Sequence, residues 1–435
     1  QMRRNNYVNL NGLWEFEVYG GPGVLPLQYT QKIRVPFCPE SALSGVKEAV
    51  QPGSYLFYRR SLSLPEGFDI REAMPLIRRH HIAALVYDGA ERCGVPRQEP
   101  AMRKLFQAYC SSLLVSEGQE REIGRIFRAF EESGIDYIPL KGCNMKALYP
   151  KPEMRRMGDA DILFRREQYD SIQEVLTELG FTFDYETDHE AVWKHPSLLL
   201  EMHKRIVPRR DVDLYRYFGN GWAHAVACKD GSCRYHFTPE MEFVSLFVHL
   251  VKHYRGGGIG LSHMIDLWVF RRHHPELDEA AVRAELDKVY LGEFYTNVWD
   301  TLQVWFEGAE PTEKTDFITN VIFENGVYGT RERAHLSYVA RAGHGEHAQK
   351  NNYVTKLLQL VFPPKSALQT KYPVLRRVPM VLPLVWVVRW VDTLLFHRKR
   401  IAQRNTDIQR TNAESIEQFE QALHYVGLDY HFEEE

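Results

Sequence analysis

Gly158-Asp159-Ala160-Asp161-Ile162-Leu163-Phe164 is the run on which the fold turns. Asp159 to Phe164 reads as a strand. Two aspartates two residues apart on a strand project from one face, with Ala160 turned into the packing. Parallel carboxylates repel each other and are costly to ionise together unless a cation joins them. Mg²⁺, which takes oxygen ligands and keeps waters for phosphate oxygens, is the natural partner. A bare pair of this kind is most often two solvated acids on an edge strand, so its surroundings decide.

Upstream, Ile135-Asp136-Tyr137-Ile138-Pro139-Leu140 reads as a second strand, followed by Lys141-Gly142 and a helix-like run to Tyr149. A strand-to-helix junction presents backbone N–H groups and a positive dipole end, suited to a triphosphate. Gly142 would let the backbone approach closely, Lys141 supplies a point charge, and Arg155 can add a bidentate phosphate contact. Downstream, Tyr169 to Leu179 is predicted to be a helix closed by Gly180, and Phe181 to Tyr185 and Leu198 to Met202 are predicted strands. Glu201 sits in the apolar run Leu198-Leu199-Leu200-Glu201-Met202-His203, where a lone acid is expensive unless paired or functional. The order of helices and strands fits a compact α+β core with a small mixed sheet.

Farther out the period is helical. Ile70 to Cys93, Ala101 to Ser116 and Glu120 to Ser133 lead into the core; Glu242 to Tyr254 and His263 to Arg272 follow it. His249 and His253, four apart, share a helix face. Without an intervening glutamate they do not form a zinc-protease motif, and a helix packed near the cleft is the favoured reading. Cys228 and Cys233 flank Gly231 as in a surface hairpin. Val378 to Phe396 is apolar but broken by Pro379, Pro383, Arg389 and Asp392, too interrupted to span a bilayer. A buried or partner-contacting helix is favoured there. With the basic flank His397-Arg398-Lys399-Arg400, the segment 383–400 is also a candidate for peripheral contact with an anionic membrane.

The ordered set Ile138-Pro139-Leu140-Lys141-Gly142, Tyr149-Pro150, Arg155, Gly158-Asp159-Ala160-Asp161-Ile162-Leu163, Leu179-Gly180-Phe181, Glu201-Met202-His203, His249, His253 and Asp266 resembles the bacterial uncharacterised nucleotidyltransferase family, of the DNA polymerase β-like superfamily, over about residues 70 to 310. The resemblance implies two Mg²⁺ ions on Asp159 and Asp161, with Glu201 as third carboxylate helping to activate an acceptor hydroxyl. It implies in-line attack on the α-phosphate of an NTP with release of pyrophosphate. Lys141, Gly142, Arg155, His203 and His253 are then the expected substrate-binding residues. The acceptor, a protein, sugar or small molecule, is not legible. The alternative reading is a catalytically silent relative that binds nucleotide or a partner protein.

Residues 1 to 68 read as a short all-β segment, with alternation in Leu13-Trp14-Glu15-Phe16-Glu17-Val18-Tyr19, a break at Gly20-Gly21-Pro22-Gly23, and further strands around Lys32 to Val35 and Leu56 to Leu62. Asn9-Leu10-Asn11-Gly12-Leu13-Trp14-Glu15-Phe16, then Ile33 to Gly45, then Tyr58-Arg59-Arg60-Ser61-Leu62-Ser63-Leu64-Pro65 resemble the start of the sugar-binding domain of glycoside hydrolase family 2. That likeness covers only residues 3 to 66, so a truncated sandwich and an alternative carbohydrate-binding role are implied, but not glycosidase activity. The expected organisation is therefore 1–68, a β segment; 69–310, a nucleotidyltransferase unit with a helical lead and cap; and 311–435, a helical region.

The 435 residues carry a formal net charge of −3, with 44% hydrophobic and 26% charged residues. This balance argues against a dedicated nucleic-acid binder. Six scattered cysteines, without a CxxC pair, and no apolar leader in the first twenty residues point to a reducing, cytoplasmic setting and no signal peptide.

Overall fold

The computed structural model describes residues 12–19, 29–59 (without 36, 48, 52 and 53), 70–326 (without 210 and 257), isolated positions from 329 to 340, most of 362–396, and 413–431. The expected break at Gly20-Gly21-Pro22-Gly23, the outer parts of the sugar-binding-like strings (Asn9 to Asn11 and Arg60 to Pro65) and the basic flank 397–400 lie outside the described residues.

The centre is a five-stranded mixed sheet. Its strands are β4 (Tyr137–Leu140), β5 (Ala160–Phe164), β6 (Thr182–Glu186), β7 (Glu190–His195) and β8 (Leu198–His203), in the order β4-β5-β8-β7-β6. Only the β5–β8 pair is parallel. This is the expected α+β class with a small mixed sheet. β7 is an element beyond the expected strands; it fills the space between β6 and β8.

The period-2 alternation of β5 and β8 sends opposite residues to opposite layers. Ala160, Ile162, Phe164, Leu200 and Met202 pack with Ile126, Phe130, Ile172 and Leu176. Those last four come from α3 (Pro100–Glu132) and α5 (Tyr169–Glu178), which cover that face. Leu163 joins a larger cluster on the other face, built from α7 (Pro239–Gly256), α8 (Leu261–His273), α9 (Glu279–Asp287), α10 (Gly292–Phe306) and α11 (Glu313–Asn325). Asp161, Glu201 and His203 share the parity of Leu163, so they point into the space beneath the second helical layer.

Three helical expectations change. Ile70 to Cys93 is two helices, α1 (Ile70–Arg79) and α2 (Ala83–Arg92), separated at His81, whose φ is 58°. The two expected helices 101–116 and 120–133 are instead the single helix α3, which runs straight through Gly118. An interior glycine costs a helix about 1 kcal/mol relative to alanine, and packing over 33 residues overrides that. The expected helix after Lys141 is one short turn, α4 (Gly142–Met145), followed by 3₁₀ geometry at Lys146–Leu148.

The N-terminal strands β1 (Gly12–Tyr19), β2 (Gln31–Val35) and β3 (Tyr55–Arg59) form an antiparallel sheet in the order β2-β1-β3. Cys228 and Cys233 lie in the loop of a small hairpin whose strands are Val226–Ala227 and Tyr235–His236, as expected. Among the described residues no helix is long and apolar enough to cross a membrane.

Candidate active site

Strand register builds the site. In the parallel pair, Asp161 lies directly opposite Glu201, and Leu163 opposite His203. Asp159 precedes β5 by one residue. On the other side of β5, Leu140 lies opposite Asp161, which brings Lys141, the next residue, to the aspartate. Lys141 Nζ donates to Asp161 Oδ1 at 2.6 Å, and His203 Nε2 lies 2.7 Å from the same oxygen and 3.6 Å from Glu201 Oε2. Three carboxylates, one ammonium and one imidazole thus meet on one patch of sheet.

Electrostatics separates the two aspartates. Burial alone would raise Asp161, but Lys141 and His203 overcome it and hold this carboxyl well below the usual range. Asp159 lacks such a direct partner: burial, then the charges of Asp161 and Glu201, push it up to about 6. His203 is held above its ordinary value against burial and the Lys141 charge, through its hydrogen bonds to Asp161 and Glu201. Burial opposes the charge of Lys141, yet Asp161 keeps its pKa above the ordinary lysine value.

The expected phosphate-binding residues sit differently from a simple cradle. Arg155 is committed to Asp266, with Nη2 at 2.8 Å from Oδ2 and Nε at 3.3 Å from Oδ1, while Tyr149 Oη donates to Asp266 Oδ1 at 2.7 Å. Its bidentate partner is therefore a carboxylate of α8. A Cβ on Gly142 would meet Met157 Sδ at 2.7 Å and Arg155 Nη1 at 3.0 Å, so close packing by the chain itself accounts for the glycine. With α4 only four residues long, the junction offers little helix dipole. Lys141 itself takes φ 47° and ψ −112°, a conformation that glycine normally fills.

His249 and His253 do share one face of α7, with ring centroids 4.4 Å apart; His263 of α8 closes a triangle at 5.3 and 4.6 Å. Burial, with Lys141 and Lys252 nearby, keeps His249 and His253 well below the usual histidine range. Burial brings His263 down to about 4.

Sequence reasoning passed over Lys252, Glu190 and His263. Burial first, then Lys141, lowers the Lys252 ammonium, while Glu190, Asp161 and Asp211 act to raise it. Glu190 stands opposite His203 across β7–β8. Burial would raise its carboxyl, but the hydrogen bond and charge of His189 bring it to about 2. The available signal for Lys252 was its place between two histidines on an otherwise apolar helix.

A mixed sheet with converging carboxylates on adjacent parallel strands is consistent with a nucleotidyltransferase-like core. Residues 66–307, more than half of the chain, match the model of the family described as uncharacterised nucleotidyltransferase, and the chain belongs to that family. Nucleotidyl transfer is thus the general chemistry of its class. The solution structure of the antibiotic-resistance factor ANT(2'')-Ia, described as revealing substrate-regulated conformation dynamics, is similar at 12% identity and a TM-score of 0.30. The match covers 43% of this chain and 97% of that one. No curated protein matches the chain.

Proposed function

We propose that this chain moves a nucleotidyl group from an NTP to an acceptor hydroxyl with Mg²⁺ bound at Asp159, Asp161 and Glu201. The observation that carries this is the register of Asp161 on Glu201 across a parallel pair, with Asp159 beside them. The donor set suits a hard cation: three carboxylates, one of them raised to about 6 by burial and by the charges of the other two, are short of positive charge. When bound, one or two Mg²⁺ ions would neutralise phosphate oxygens and orient the reacting groups.

The chain's own residues do the rest. Glu201 accepts the proton of the acceptor hydroxyl; the new acceptor O–P bond forms at the α-phosphorus, the bond from that phosphorus to the bridging oxygen breaks, and pyrophosphate leaves. His203 orients Asp161 through its 2.7 Å contact. Lys141 and Lys252 supply positive charge for the polyphosphate, and His253 lines the same space. Arg155, held by Asp266, stiffens the segment before the aspartates rather than gripping phosphate. The acceptor class stays open among proteins, sugars and small molecules.

Incubating the chain with each labelled NTP and Mg²⁺, and following pyrophosphate release, tests the reading. Release is expected with the unaltered chain and loss of at least about 100-fold with Asp161→Asn, the scale of removing a key electrostatic group. Mg²⁺-dependent NTP binding in calorimetry with no release for any base would instead favour the silent, nucleotide-binding relative.

The proposed organisation keeps 69–310 as the transferase unit between a β segment and a helical region. Six free thiols fit a reducing, cytoplasmic compartment. Peripheral membrane contact is the second reading for the helix Leu382–Phe396. It is favoured by the solvent-exposed apolar stripe Leu384, Val387, Val388 and Val391, at helical spacing just before a basic sequence.

A further inference from the structure

We infer that His249, His253 and His263 form a second metal site, for a borderline transition ion such as Zn²⁺, with ligands of its own beside the carboxylate centre and with one coordination position open to an anionic oxygen ligand. The geometry is that of a three-nitrogen set. His249 and His253 lie one turn apart on α7, and His263 faces them from the first turn of α8. The three rings are mutual neighbours, with centroids 4.4 to 5.3 Å apart. One ligand nitrogen from each lies within 4.8 Å of the other two. Ligands at about 2.0–2.1 Å from a central zinc ion lie within roughly 4 Å of one another, so small side-chain adjustments close the site.

The surroundings favour this chemistry. In the tautomer whose Nδ1–H donates to the Gly260 carbonyl at 3.3 Å, the His263 ring is fixed and Nε2 is left for a metal, as in metal-binding histidines that donate their other ring N–H to a backbone carbonyl. An all-imidazole set selects zinc-like ions and is poor for Mg²⁺, so the two centres would not compete for one cation. Three protein ligands leave a tetrahedral ion one open position. Lys141 and Lys252 both act on these rings. Lys141 is already paired with Asp161, so the remaining positive charge around the site biases the open position toward an anion, such as hydroxide, carboxylate or a phosphate oxygen.

The test loads the full chain with one equivalent of Zn²⁺ for X-ray absorption, and titrates it with Co²⁺ while following the visible band of the bound ion. Expected are an imidazole scattering signature with metal–ligand distances of about 2.0–2.1 Å, and a Co²⁺ band retained in Asp161→Asn. Each of His249→Gln, His253→Gln and His263→Gln should weaken Co²⁺ binding by more than about 100-fold, beyond the cost of losing an outer hydrogen-bond partner. A first shell of carboxylate or thiolate would overturn the assignment. So would a Co²⁺ band that ignores the histidine changes, one lost with Asp161→Asn, or an absence of stoichiometric binding. If a histidine variant fails to melt cooperatively, the absorption spectrum of the unaltered chain decides alone. Failure of Mg²⁺-dependent pyrophosphate release would leave each of these readouts unchanged.

Discussion

Lys141 combines an unfavourable backbone with a favourable side chain. At φ 47° and ψ −112° a residue bearing a Cβ costs about 1–3 kcal/mol. Removing one partner of a buried ion pair costs about 3–5 kcal/mol, so the contact with Asp161 outweighs the strain. Both Lys141→Ala and Lys141→Gly lose the ammonium, but only glycine relieves the backbone. Thermal melts should therefore place Lys141→Gly above Lys141→Ala by about 1–2 kcal/mol, with both inactive; equal melting would show that the strain is absent. Asp159 carries the opposite conflict. Its carboxyl is raised to about 6, above the unfolded value of about 3.9. Between those values the native state holds the extra proton, so this group's contribution to stability falls as pH rises from about 4 to about 6 and stays low above it. Asp159→Asn should raise the melting temperature of metal-free protein at pH 7, should raise it less at pH 4, and should abolish transfer. A lower melting temperature at pH 7 would contradict the mutual repulsion of the carboxylates.

At the scale of elements, what a single sequence exposes is periodicity, and what it hides is pairing. The apolar tail of β5 and the run Leu198 to Met202 announced two strands, and Asp159, Asp161 and Glu201 announced carboxylates. Nothing local said that β5 and β8 would lie side by side in parallel, which is what brings Asp161 to Glu201. β7 escaped because Glu190, Lys194 and His195 mask its short apolar centre, Ala191-Val192-Trp193. The pairing of Arg155 with Asp266 stayed hidden because the two residues stand 111 positions apart. The stretches 101–116 and 120–133 read as two helices because local periodicity cannot see α3 packing across both. The N-terminal likeness to a sugar-binding domain rests on sequence alone; the three strands there pair in the order β2-β1-β3. The helix Leu382–Phe396 is where exposure adds to sequence. Val385 packs with Leu368 and Leu375, while Leu384, Val387, Val388 and Val391 face solvent at 49 to 67% exposure. Flotation with anionic vesicles at low salt should carry the chain upward, and Leu384→Asp with Val388→Asp should abolish this. Failure of the unaltered chain to float would remove the membrane reading.

For the whole molecule, the two ends relate differently to the catalytic unit. Phe16 and Ile33 are buried, yet among the described residues they belong to none of the apolar clusters that build the rest. From α1 onward the chain is tied in: Arg79 Nη1 donates to the carbonyls of Phe323 and Glu324 at 3.3 and 3.2 Å, and the Leu261 amide donates to His80 Nδ1 at 3.1 Å. The C-terminal end goes deeper. Phe419 and Leu423 of the helix Ala413–Tyr425, with Val426 and Leu428 after it, are buried in the main helical cluster. Asn297 Nδ2 donates to the Val426 carbonyl at 3.0 Å, and Arg255 joins the Asp429 carbonyl to Asp213. Full burial of such side chains stabilises by roughly 1.5–3 kcal/mol each, so these four contribute about 6–12 kcal/mol, comparable to the stability of a typical domain. Removing residues 1–69 should therefore leave the main thermal transition and nucleotide binding within error of the full chain. Removing residues 411–435 should expose the α7–α10 layer, lower the melting temperature by well over 10 °C on the scale of several kcal/mol, and weaken nucleotide binding with it. The reverse order of sensitivity, measured by differential scanning calorimetry on the two truncations, would mean that the N-terminal sheet is structurally part of the transferase and that the boundary near residue 69 is misplaced.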